Sequence, residues 1–162
     1  MSSNVQQITR TGVLLAIALT VQLMHLPTYF TGPAINAVLI LAGIFVGITG
    51  GVLIGCITPG VALMMGIIPP VVAPLVPVIM LANATLVVVF KLLSQTNQYV
   101  ALTAAALAKY TIFFLAINYL LQYFNIKLPP PALLAFQLPQ LYTALAGGLI
   151  AVIVARYVIK EI

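Results

Sequence analysis

No charged residue occurs between Arg10 and Lys91, a stretch filled by apolar side chains, glycine, proline and a few hydroxyls and amides. A fold surrounded by water needs a polar shell, and this stretch cannot supply one. Soluble domains carry about 25% charged residues, whereas this 162-residue chain carries 4% against 64% hydrophobic. The sequence therefore predicts an integral membrane protein in contact with the lipid bilayer. Arg10 followed by "VLLAIALTVQLM" resembles a secretory leader, but no small-residue cleavage site follows. It is read as a retained first transmembrane helix.

A helix needs about 20 apolar residues to cross a bilayer core of roughly 30 Å. Glycine and proline punctuation divides the chain into six such pieces, at about residues 8–26, 34–48, 52–68, 75–93, 100–124 and 132–159. Pro33 suits the start of the second helix, "TGG" at 49–51 makes a tight return, and Pro59 kinks the third. The second and third pieces are short, and a re-entrant segment would change the count. The basic residues decide between the counts. With six spans, Arg10, Lys91, Arg156 and Lys160 fall on one side and only Lys127 on the other. A five-span count divides them more evenly. The expected architecture is all-α and polytopic: residues 1–162 form a single six-helix transmembrane domain of the plasma membrane, both termini cytoplasmic.

This pattern narrows function. The pI is 9.6, but the basic residues are scattered, with no cluster to follow a phosphate backbone, so nucleic acid is not expected as a partner. The only acidic residue, Glu161, stands next to the C-terminus, outside the expected spans. Ion-coupled carriers place Asp, Glu or His relays inside the membrane, and hydrolytic catalysis needs an acid–base pair or an activated nucleophile. Neither set exists here. An enzyme is not expected, and neither are a cofactor or a metal: His25 and Cys56 alone would under-coordinate one. His25, at a helix end, is an interfacial residue or, less often, a haem ligand. Cys56 has no partner for an internal disulfide.

Lys109 is the exception within the apolar text. It falls about 15 Å into the fifth helix at 1.5 Å per residue, near mid-membrane, where a charge costs roughly 3 kcal/mol on insertion scales. Two readings compete. The side chain snorkels to the interface or caps carbonyls freed by kinked helices, or it faces a cavity and pairs with a carboxylate or phosphate on a ligand. Amides form a second group. Asn118, Gln122 and Asn125 share a face of the fifth helix at i, i+4, i+7. Gln137 and Gln140 stand near the start of the sixth, with Tyr142 and Thr143 beyond them; Asn36 and Asn83 lie in the second and fourth, and Tyr29 in the first outer loop. Singly, such residues pair across helices; gathered at one end of a bundle, they describe a cavity for a small polar molecule. Tyr119 and Tyr123 are read as interface anchors.

Small residues recur every fourth position at Gly43, Gly47, Gly51 and Gly55, and at Gly12, Ala16 and Thr20. Such stripes serve either packing within the bundle or docking to another membrane subunit.

Residues 34–66, "AINAVLILAGIFVGITGGVLIGCITPGVALMMG", resemble the second and third helices of the substrate-binding S components of energy-coupling factor (ECF) transporters. The following "PPVVAPLVPVIMLANATLVVVFKLL" is similar in placement and in its prolines. The resemblance implies a six-helix protein that captures a vitamin or related micronutrient from outside. It would dock on a transmembrane T component driven by two cytoplasmic ATPases and topple to release its cargo. The family's docking face, an Ala-x-x-x-Ala pair on the first helix, corresponds here to Gly12, Ala16 and Thr20, without the alanine pair. The family's cargo lies under the loop joining the first two helices, here "PTYFTGP", against the outer halves of helices carrying Asn118, Gln122, Gln137 and Gln140. The chain has no phosphate-binding G-x-x-x-x-G-K-[ST] loop of its own. The alternatives are a small non-catalytic subunit or scaffold of a larger membrane complex, and a stand-alone facilitator. A capture protein carries a small molecule through purification; a scaffold carries lipid and protein partners.

Overall fold

A computed structural model of the chain describes residues 3–160, with side chains from Asn4 to Ile159. Glu161 and the side chain of Lys160 lie outside the described residues. The described chain is all-helical. The long helices are α1 (Ser3–Leu23), α2 (Thr28–Phe45), α3 (Ile48–Met64), α4 (Val76–Leu93) and α5 (Gln98–Leu115). A short α6 (Pro130–Ala135) precedes α7 (Leu138–Lys160). A 3₁₀ segment, Pro70–Leu75, leads into α4, and a π-helical turn, Ala116–Leu120, carries α5 on to Tyr123. Among the described residues, four helical stretches are long and apolar enough to cross a membrane: Thr28–Phe45, Pro70–Leu93, Gln98–Tyr123 and Pro130–Ile159. Ile48–Met64 is a shorter apolar helix. α1, whose first half carries Gln6, Gln7, Thr9 and Arg10, is not among them.

The helix ends follow local chemistry. α1 stops where His25 takes a left-handed φ of 49°, and Pro27, with φ −52°, precedes the first residue of α2. Pro33 therefore sits inside α2 rather than at its start, and Tyr29 lies in the helix's first turn rather than in a loop. The return between α2 and α3 is made by Val46 and Gly47, not by Thr49–Gly51, which belong to α3. Gly47 has φ 102° and ψ −174°, backbone that a side chain strongly disfavours. Asn97 caps α5: its Oδ1 accepts from the N–H groups of Tyr99 (2.8 Å) and Val100 (3.3 Å).

Gly43 and Gly51 admit Val87 of α4 against the helix backbone, and Gly55 admits Asn83. This stripe is thus used within the bundle, as small-residue seams in lipid generally are. One core cluster, with Leu39, Ile54, Leu86, Phe90 and Val152 fully buried, fills the half of the bundle nearer the described chain ends. A second, around Leu75, Ala82, Phe113 and Leu121, fills the other half. Three basic residues collect at the first of these ends. Arg10 donates to the Phe45 carbonyl (3.4 Å), Arg156 donates to Gln98 Oε1 (3.4 Å) and lies over the Tyr99 ring, and Lys91 is in the last turn of α4.

Candidate functional site

Between the two cores lies the polar centre of the molecule. Lys109 of α5 is 3% exposed, Asn36 of α2 2% and Asn83 of α4 4%. Lys109 Nζ donates to Asn36 Oδ1 at 2.7 Å and to Asn83 Oδ1 at 2.8 Å. The lysine does not snorkel. Two amide oxygens from two other helices hold it in the interior.

Each amide is turned toward the lysine by a further bond. Asn83 Nδ2 donates to the Gly55 carbonyl at 3.1 Å. That carbonyl is available because Pro59, four residues on, has no N–H to bond it. Asn36 Nδ2 donates to Thr143 Oγ1 at 3.4 Å, and Thr143 in turn donates to the Gln140 carbonyl at 3.2 Å. With both Nδ2 groups engaged, both Oδ1 atoms face the ammonium, which fixes the orientation of each amide. Pro59, Gly55 beside Asn83 and Thr143 on α7 therefore serve one purpose: to present two carbonyl dipoles to a buried amine. Buried polar groups in lipid are stable only when so satisfied.

This centre forms part of the wall of a cavity of about 640 Å³ at the end of the bundle away from the described chain ends. The volume falls in the range of small-molecule sites, roughly 300–1,000 Å³. Its polar lining includes Lys109, Asn36, Asn83, Thr58, Gln140 and Gln22. Its apolar lining includes Ile35, Ile79, Val72 and Phe136. The rim is built from the α1–α2 connection at His25 and Leu26, from the proline breaks at Pro69 and Pro129, and from Pro131 in the first turn of α6. Pro69 and Pro129 suit a rim because each holds extended backbone and has no N–H to satisfy. His25 Nδ1 is 2.7 Å from the Leu23 carbonyl.

Of the residues singled out in the sequence, the structure brings Asn36, Asn83, Lys109 and Gln140 to this cavity. Gln137 falls in the break between α6 and α7 and is not in the lining. Tyr29 stands on the outside of α2, 79% exposed, beside a shallow apolar groove with Phe30 and Ile17. Asn118 satisfies itself within its own helix, donating to the Phe114 carbonyl at 2.8 Å, and Gln122 is exposed. The π turn explains this: its wider spacing slips the register, so Asn118, Gln122 and Asn125 do not form one continuous face. Asn125 lies beyond the helix with a left-handed φ of 52°. Gln22 and Thr58 are cavity residues that sequence reasoning missed. Thr58 carried a signal, a hydroxyl directly before a mid-helix proline in apolar text.

Asn83→Leu removes one of the two oxygens on Lys109 and the donor on the Gly55 carbonyl. Hydrogen bonds to charged groups contribute about 1.5–3 kcal/mol, so the variant is expected to lose about 2–3 kcal/mol in a denaturation titration in detergent. Asn118→Leu, outside the network, should stay within about 0.5 kcal/mol of the parent. Equal losses would show that the network does not stabilise the fold.

A family model described as "ECF transporter, substrate-specific component" matches residues 6–159. No curated protein and no solved structure matches the chain.

Proposed function

The chain belongs to the substrate-specific components of energy-coupling factor transporters, and from that membership we propose that its cavity captures a small micronutrient-like solute at the outer face of the plasma membrane. The solute is then delivered inward with a transmembrane T component and two cytoplasmic ATPases. The observation that carries this reading is the cavity itself, with a buried lysine and several amides converging on one open space. A subunit used only for packing has no need to keep a desolvated amine beside an open volume.

The reading takes α1, α2, α3, α4, α5 and α7 as six spans, with both termini cytoplasmic. Charge supports that direction. Arg10, Lys91 and Arg156 gather at the end opposite the cavity, while Lys127 follows α5 at the cavity end. The positive-inside bias therefore supports a cavity that opens outside. Tyr29, Phe30, Tyr119, Tyr123 and Phe124, all well exposed, surround the cavity end as an interfacial belt would.

Docking is assigned to α1. Gly12, Ala16 and Thr20 are all exposed, and nothing within the chain approaches the position of a Gly12 side chain. Such an open small-residue face lets a partner helix come close. Ala16→Leu should abolish co-purification with a co-expressed T component and its ATPases while leaving solute binding unchanged; an intact complex would refute this face.

The function is tested with the molecule released by denaturing the purified protein, added back as a labelled tracer. Proteoliposomes holding the complete complex should accumulate it only with ATP. Equal uptake by the isolated protein would instead indicate a facilitator.

A further inference from the structure

The polar centre of the cavity holds one amine and no acid to balance it. Lys109 is the only Lys or Arg in its lining, and no Asp or Glu joins it among the described residues. Asn36 and Asn83 satisfy two of the three N–H groups of an ammonium. Both partners are neutral, so neither balances a charge on the amine. A net charge deep in a bundle is costly, and the remaining N–H has no protein acceptor among the described residues. An anion in the adjoining open volume would supply both a third acceptor and the balancing charge.

A second observation points to the same occupant. Gln22 lines the cavity, and its Oε1 is buried with no hydrogen-bond partner. An amide oxygen only accepts, so what it lacks is a donor. Between these polar points the wall is apolar, formed by Ile35, Ile79, Val72 and Phe136. Two negative charges would leave one unpaired against a single lysine. A cationic solute would meet like charge, and no group of three metal-ligating side chains exists among the described residues.

We propose that the occupant is a singly charged organic acid whose carboxylate meets Lys109. Its apolar body lies against Ile35, Ile79 and Phe136, and a hydroxyl or N–H donates to Gln22. This rests on the reading of the cavity as a solute site, and the experiment separates the two.

Small molecules from yeast extract are divided by ion exchange at pH 7 into anionic, neutral and cationic fractions. Each is added to the purified protein in detergent while thermal unfolding is followed. The anionic fraction alone should raise the midpoint, by about 5 °C, because a ligand of the native state stabilises it by mass action. Asn36→Asp places a carboxylate beside Lys109 without changing side-chain size, and should abolish that shift. Stabilisation by the neutral or cationic fraction overturns the charge assignment but keeps the cavity as a solute site. Stabilisation by no fraction overturns both. A full anion response in Asn36→Asp overturns the role given to Lys109.

Discussion

Lys109→Met is expected to weaken binding of the captured solute about a hundredfold while the protein still folds. The magnitude follows from burial: a charge pair out of contact with water is worth about 2–5 kcal/mol in mutational tests, and about 3 kcal/mol corresponds to roughly a hundredfold in affinity. Folding should survive because two effects oppose each other. Methionine leaves Asn36 Oδ1 and Asn83 Oδ1 without their donor, at about 1–3 kcal/mol each. It also removes a desolvated charge, and replacing buried charge with apolar side chains of similar length is often neutral or stabilising. Equilibrium binding of the co-purified molecule, measured beside a thermal melt, reads both. Unchanged affinity would remove Lys109 from the site.

Gly147→Val should have the larger effect on the fold. A Cβ added at Gly147 would fall well inside contact distance of the Pro33 carbonyl oxygen and 2.9 Å from both the Ala37 nitrogen and Asn36 Cβ. The nearest obstacles are backbone atoms, which cannot rotate away. Gly32 and Thr143 make the same seam tight one turn away, so α2 and α7 would have to separate. Overpacking a well-filled core costs about 1–3 kcal/mol where side chains can move, and here the expected cost exceeds about 3 kcal/mol. The Asn36–Thr143 bond lies on this seam, so any Gly147→Val protein that survives extraction should also bind solute poorly. Gly12→Val, at an open position, is the control and should melt like the parent. Equal melting of the two variants would contradict the packing described for α2 and α7.

The membrane character, the helical class and the family were legible because each is written in long stretches of sequence: the uncharged run from Arg10 to Lys91 and the glycine-rich text of residues 34–66. The chemistry of the cavity was legible only as ingredients. Lys109, Asn36 and Asn83 stand out as polar residues in apolar helices, yet nothing in their spacing pairs them. Their meeting depends on how closely α3 packs on α4 and α7 on α2, which Gly55 and Gly147 permit and the Pro59-freed carbonyl directs. Asn118 and Gln122 misled for a definite reason. An i, i+4 argument assumes 3.6 residues per turn, and the π turn at Ala116–Leu120 breaks that assumption. Pro33 misled because proline favours a helix start in general, but Pro27 already supplies one. Gln22 gave no signal, since a single glutamine near the end of an apolar helix is indistinguishable from an interfacial residue.

The central claim is that the cavity around Lys109 exists to hold a small solute, and native mass spectrometry of the protein released from its own membrane tests it most directly. The spectrum should show the chain carrying one copy of a low-mass molecule, absent from Lys109→Met purified in the same way. A wild-type protein bearing only lipid, with a spectrum matching that of Lys109→Met, would contradict the claim.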